Sequence, residues 1–169
     1  MEAVGETGAA SANRKIAIIG LSGRYPQART LEQYWDNLQS GRDCISEIPA
    51  ERWALDGFYC ADPEQAVASG KSYSKWGGFV DGFAEFDPLF FNISPAEADG
   101  MDPQERLFLQ SCWEVLEDAG YTRERLARVH GGRVGVFAGV TKTGFELHGP
   151  ELWRQGVAVF PHTSFSSVA

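Results

Sequence analysis

Basic residues are in short supply in this chain of 169: fifteen Lys and Arg stand against twenty-three Asp and Glu, a formal net charge of −8. Nucleic acid and anionic membrane surfaces both require a basic face, so neither is an expected partner. Cysteine is sparse too, and Cys44, Cys60 and Cys112 are odd in number and far apart. They fit neither a disulfide framework nor a CxxC metal knuckle, and a reducing cytoplasm is the natural compartment. No apolar run approaches the ~20 residues of a membrane span. Residues 1–14 lack the apolar stretch of a secretion signal; their Gly, Ala, Ser and Glu read as a flexible leader. In "KIAIIGLSG", Ser22 stands where a dinucleotide fingerprint needs glycine, and no third glycine follows, which argues against nucleotide binding.

What is present is apolar and patterned. With 43% hydrophobic and 12% aromatic residues, the chain can bury a sizeable core, as one domain or a large part of one. Residues 15–23 and 133–144 read as buried strands, β-branched or apolar runs stopped by glycine. Between them, residues 30–41 predict a short helix capped by Thr30, with Leu31, Tyr34, Trp35 and Leu38 on one face. The stretch from Ile45 to Phe91 is dense in Gly, Pro and aromatics and keeps no period, so it predicts a long ordered excursion anchored by rings. Two helix starts follow in succession. Ser94-Pro95-Ala96-Glu97 and Asp102-Pro103-Gln104-Glu105 each place a capping oxygen, a proline at the first helical position and an acid near the third. The second helix runs to Gly120, with Phe108, Cys112, Trp113, Leu116 and Ala119 facing inward.

The acid is concentrated. Residues 81–118 hold ten acidic side chains against Arg106 alone, a local charge of −9. Asp102 and Glu105 lie at the positive end of a helix dipole, which accounts for them; Glu117 and Asp118 lie at the wrong end and have no such account.

"IAIIGLSGRYPQA", "KWGGFVDGFAEFDPLFFNISPAEADGMDPQERLFLQSCWEVLEDAGY" and "VGVFAGVTKTGFELHGPE" together resemble the N-terminal part of a polyketide synthase ketosynthase domain. The resemblance runs over residues 15–169, and "FDPLFF", "NISPAEA" and "MDPQERLFL" in that order are highly specific. "GKSYSKWGGF" and "GVTKTGFELHGPELW" resemble the trans-acyltransferase class. Gly100 departs from the helix-favouring residue the family leads one to expect, and is expected to loosen the first capped helix. The resemblance implies an α/β chain: the N-terminal portion of a thiolase-like α/β/α/β/α sandwich, incomplete here, that works as a homodimer. It implies a decarboxylative Claisen condensation, in which an active-site cysteine takes an acyl group and a malonyl thioester on an acyl carrier protein attacks it. No cofactor is implied in this chain; phosphopantetheine arrives on the carrier.

The resemblance places the catalytic cysteine shortly after "SFSSVA" and both catalytic histidines beyond it. The final "FPHTSFSSVA" reads as the opening turn of a helix continued elsewhere. The expected partners are therefore a C-terminal portion of the ketosynthase and the carrier, and no catalytic or metal-binding residue is assigned within the chain. Carrier proteins of the family are acidic, so the 81–118 stretch is not the expected dock. By the same resemblance, Thr141, Lys142, Thr143, Phe160, Ser164 and Phe165 are candidates for the acyl channel or the dimer seam. The plain alternative for each is a polar turn or an internally packed loop. The competing reading of the whole chain is a non-catalytic docking or scaffolding remnant. A free-standing small enzyme is poorly served by the spacing of Cys and His.

Overall fold

The structure, a computed structural model, describes residues 15–141 and 144–162. Its helices start where capping chemistry dictates. In α1 (Leu31–Gln39), Thr30 Oγ1 accepts from the Gln33 amide at 3.2 Å while Gln33 Oε1 accepts from the Arg29 amide at 2.8 Å. The excursion that follows is closed by two short strands, β1 (Ser46–Glu47) and β2 (Trp76–Gly77), paired antiparallel with Ser46 opposite Gly77. Inside that loop lies α2 (Pro63–Ala68), capped by Asp62, and a bridge between Tyr59 and Ser72. Rings do anchor the excursion: the Arg52 guanidinium lies 3.4 Å from the centre of the Phe83 ring, and Phe90 meets Trp113 edge-on at 4.7 Å.

Both anticipated helix starts form. α3 (Pro95–Gly100) has Ser94 Oγ accepting from the Glu97 amide at 3.2 Å, and α4 (Pro103–Asp118) has Asp102 Oδ1 accepting from the Gln104 amide at 2.8 Å. Beyond Gly120 comes α5 (Arg123–His130), capped by Thr122 and closed by Gly131 in the left-handed region. A 3-10 turn (Phe145–His148) leads directly into α6 (Gly149–Arg154).

The two buried strands expected at 15–23 and 133–144 require correction. The described part of both segments carries no ladder hydrogen bonds, and their side chains are open: Ile16 is 94% and Phe137 97% exposed. A parallel strand acquires its hydrogen bonds and its cover from neighbours on both sides, and the described residues supply none. The apolar face of α1 is likewise open at Trp35 and Leu38, and Trp113 of α4 is exposed; the buried hydrophobic residues among those described are Ala28, Ala66, Ala98 and Met101.

The first segment is nonetheless tied to α4. Gly20 packs so closely that a Cβ there would lie 2.6 Å from the Val115 carbonyl oxygen. This close approach accounts for the glycine. Asp118 Oδ2 accepts from the Leu21 amide at 2.9 Å, which gives that acid a partner the helix dipole could not. One turn earlier, Glu114 accepts from Ser22 Oγ at 2.7 Å and from both Arg24 guanidinium nitrogens in a two-pronged ion pair. The Arg24 hydrogen bonds, reinforced by Ser22, hold the Glu114 carboxyl below its ordinary range against the opposing effect of burial. Glu114→Gln is expected to cost about 1 kcal/mol in urea unfolding near pH 7, a modest figure because the carboxylate is partly solvated. The folded pKa is depressed. The clamp therefore contributes fully above the ordinary value of 4.5 and is lost as pH falls through the lowered one. The gap between wild type and variant closes in acid; a gap unchanged down to about pH 3 would contradict the assignment.

Candidate functional site

The last described residues cross the α3–α4 corner. Consecutive proline-led starts force a sharp turn at Gly100 and Met101, and both residues are buried. His162 donates its amide to the Gly100 carbonyl at 2.9 Å, and Met101 and His162 form a parallel bridge. Two further ties fix the approach to this corner. The Val157 amide donates to the Leu152 carbonyl at 2.9 Å, and Trp153 Nε1 donates to the Val159 carbonyl at 2.8 Å. The Phe160 ring stands beside Trp153, centroids 5.5 Å apart, and remains 73% exposed.

Of the six residues singled out by resemblance, two fall within the described residues. Thr141 is exposed at the end of the second extended segment, and Phe160 is the exposed ring just described. No hydrogen bond or ring contact joins them. Lys142, Thr143, Ser164 and Phe165, and the helix turn expected at the end of the chain, lie outside the described residues.

The cysteines are all free. Burial pushes the Cys112 thiol up, which lowers its thiolate fraction and suits packing better than nucleophilic attack. Cys44 does no more than approach the Arg42 carbonyl at 3.8 Å. Among the described residues no cysteine shares a hydrogen bond with a histidine. His130 Nε2 lies 3.2 Å from the Tyr121 hydroxyl, so it is exposed but not merely solvated; His148 packs by the Phe145 ring, and His162 Nδ1 is 3.1 Å from the Phe160 carbonyl. Among the described residues no group of three His, Cys, Asp or Glu could hold a metal ion.

An apolar groove of about 800 Å³ lies between α4 and α5, lined by Trp113, Leu116, Tyr121, Leu126 and Val134. A second, of about 340 Å³, lies between Ile18 and Ile19 of the first segment, Val115 of α4, and Val134 of the second. The two extended segments thus converge on one helix pair and leave the space beside it open. Sequence reasoning missed this convergence, and it missed the docking role of Gly100 and His162, whose spacing of 62 positions carries no local signal.

Comparison with known proteins follows the same lines. A family model described as the N-terminal domain of beta-ketoacyl synthase matches residues 13–167. The chain is 59% identical over 154 residues to the polyketide synthase ThaG of Burkholderia thailandensis, covering 91% of this chain and 3% of that protein. It is 50% identical over 159 residues to the polyketide synthase PksL of Bacillus subtilis, covering 92% and 3% respectively. It superposes on the oxazolomycin ketosynthase domain OzmH KS7 of Streptomyces albus JA3453 with a TM-score of 0.80 and 47% identity, over 90% of this chain and 25% of that one. For the ketosynthase from module 6 of the bacillaene synthase of Bacillus subtilis 168, the TM-score is 0.56 at 48% identity, over 65% and 18%.

Proposed function

This chain belongs to the beta-ketoacyl synthase family, and on that premise we propose that it supplies one portion of a polyketide synthase ketosynthase that condenses acyl and malonyl thioesters. Its fold is the N-terminal part of a thiolase-like ketosynthase. The observation that carries the proposal is the pair of extended apolar segments flanking α4 and α5 without ladder partners among the described residues. In a layered α/β sandwich such segments are sheet strands, and the open grooves beside them are where the rest of the sheet packs. The superposition on a solved ketosynthase, which extends well beyond this chain, supports the same reading.

In this reading the chain is a scaffold and a wall. The remainder of the ketosynthase brings a cysteine whose thiolate attacks the acyl thioester, releasing the carrier's thiol. Loss of CO2 from the malonyl thioester then leaves an enolate that attacks the acyl-cysteine and releases the thiolate. Thr141, with Lys142 and Thr143, and Phe160, with Ser164 and Phe165, border the acyl channel or the dimer seam. "GKSYSKWGGF" and "GVTKTGFELHGPELW" support the trans-acyltransferase class. The partners are an acyl carrier protein, which brings the phosphopantetheine arm, and a second copy of the ketosynthase, in the cytoplasm.

The test is a condensation assay on the complete ketosynthase domain containing this chain, with an acyl thioester surrogate and malonyl carrier protein. Mass spectrometry of the carrier is expected to show the β-ketoacyl product, dependent on the malonyl group. Carrier binding without any condensation would favour a docking or scaffolding remnant instead.

A further inference from the structure

Gly100 has no backbone reason to be glycine. Its φ is not in the left-handed region, and in a helix glycine is less stable than alanine by about 1 kcal/mol. Space is the reason. A Cβ at Gly100 would lie 2.9 Å from the Phe160 carbonyl oxygen and 3.4 Å from His162 Nδ1. The first obstacle is backbone, so the segment itself would have to move. The sequence leads one to expect a loosened helix here; the structure instead shows a seat into which residues 160–162 settle.

We infer that Gly100 is a specificity-determining positioning residue: its missing side chain sets how closely Phe160-Pro161-His162 lies on the α3–α4 corner, and hence where the Phe160 ring stands. That ring is largely exposed, with Trp153 beside it. Its position therefore follows from the backbone bond between His162 and Gly100 more than from enclosure by side chains. The inference rests on the reading of Phe160 as part of the acyl-channel wall. Adding a methyl group at Gly100 lifts the segment off the corner, carries the ring into the space it borders, and narrows the passage for bulky acyl groups.

The experiment uses the complete ketosynthase domain and compares self-acylation rates with octanoyl and acetyl pantetheine thioesters by intact-protein mass spectrometry. Gly100→Ala is expected to lower the octanoyl-to-acetyl ratio about tenfold, the scale at which small changes in an apolar passage discriminate substrates. Ala96→Gly weakens the same helix at an exposed position; it is expected to lower the melting temperature and leave the ratio unchanged. His162→Pro removes the amide that donates to the Gly100 carbonyl, and is expected to move the ratio even if Gly100→Ala does not fold. An unchanged ratio in folded Gly100→Ala overturns the inference. So does an unchanged ratio in His162→Pro where the first variant fails to fold, or an equal shift in Ala96→Gly. If the wild-type domain takes up neither acyl group, the ketosynthase reading itself falls, and the inference with it.

Discussion

Amides of residues 16–21 and 134–140 are expected to exchange with solvent almost freely in the isolated chain, and to slow by about a thousandfold or more in the complete ketosynthase domain. The cause is the absence of ladder partners. Ile16, Ile18 and Phe137 are among the most exposed apolar side chains of the structure, and neither segment has a neighbouring strand among the described residues. Amides in that state are protected neither by hydrogen bonds nor by burial. One amide stands apart: Leu21 donates to Asp118 and is expected to exchange more slowly than Ile18 or Ile19 even in the isolated chain. The same open faces make the isolated chain prone to bind hydrophobic dyes and to aggregate. Protection of both segments in the isolated chain, equal to that in the complete domain, would show that they find partners without the remaining sheet.

Replacing Cys44, Cys60 and Cys112 together by alanine is expected to leave acyl uptake by the complete domain within about twofold, since a thiol lacking a nearby base or a helix N-terminus remains a poor nucleophile at neutral pH. Cys112 lies in the body of α4, far from the positive end of its dipole, and its thiol is pushed up by burial. None of the three shares a hydrogen bond with a histidine among the described residues. Cys112→Ala does remove a partly buried side chain from the helix, so a lower melting temperature is expected of the triple variant. Uptake and stability separate the two roles of a cysteine: loss of acylation with stability intact would place the nucleophile inside this chain.

What the sequence disclosed and what it hid divide along physical lines. Capping is local chemistry, so Thr30, Ser94 and Asp102 were legible as helix starts and each accepts the amide its position implies. The same signal was present and overlooked at Asp62-Pro63, which opens α2, and at Thr122, which opens α5 with Gly131 at its other end. Burial is not local. The apolar runs at 15–23 and 133–144 predict buried strands, but ladder and cover come from other segments, and the described residues do not provide them. The apolar face of α1 is open for the same reason, at Trp35 and Leu38. The acid at Asp118 had no account in the sequence because Leu21 lies 97 positions away, and the Glu114 clamp was hidden for the same reason, with Ser22 and Arg24 92 and 90 positions away. Of the candidate site, the sequence named Phe160 through a family resemblance; it could not show that Gly100 seats the segment that carries it.

The most direct test of the central claim, that the chain is the scaffold portion of a ketosynthase whose nucleophile lies elsewhere in the domain, is intact-protein mass spectrometry after incubation with an acyl thioester. It is to be run on the isolated chain and on the complete domain side by side. The account predicts no acyl adduct on the isolated chain, and in the complete domain one acyl group per subunit, mapped by peptide analysis to a cysteine outside residues 1–169. Stoichiometric acylation of Cys44, Cys60 or Cys112 in the isolated chain, with turnover, would contradict it.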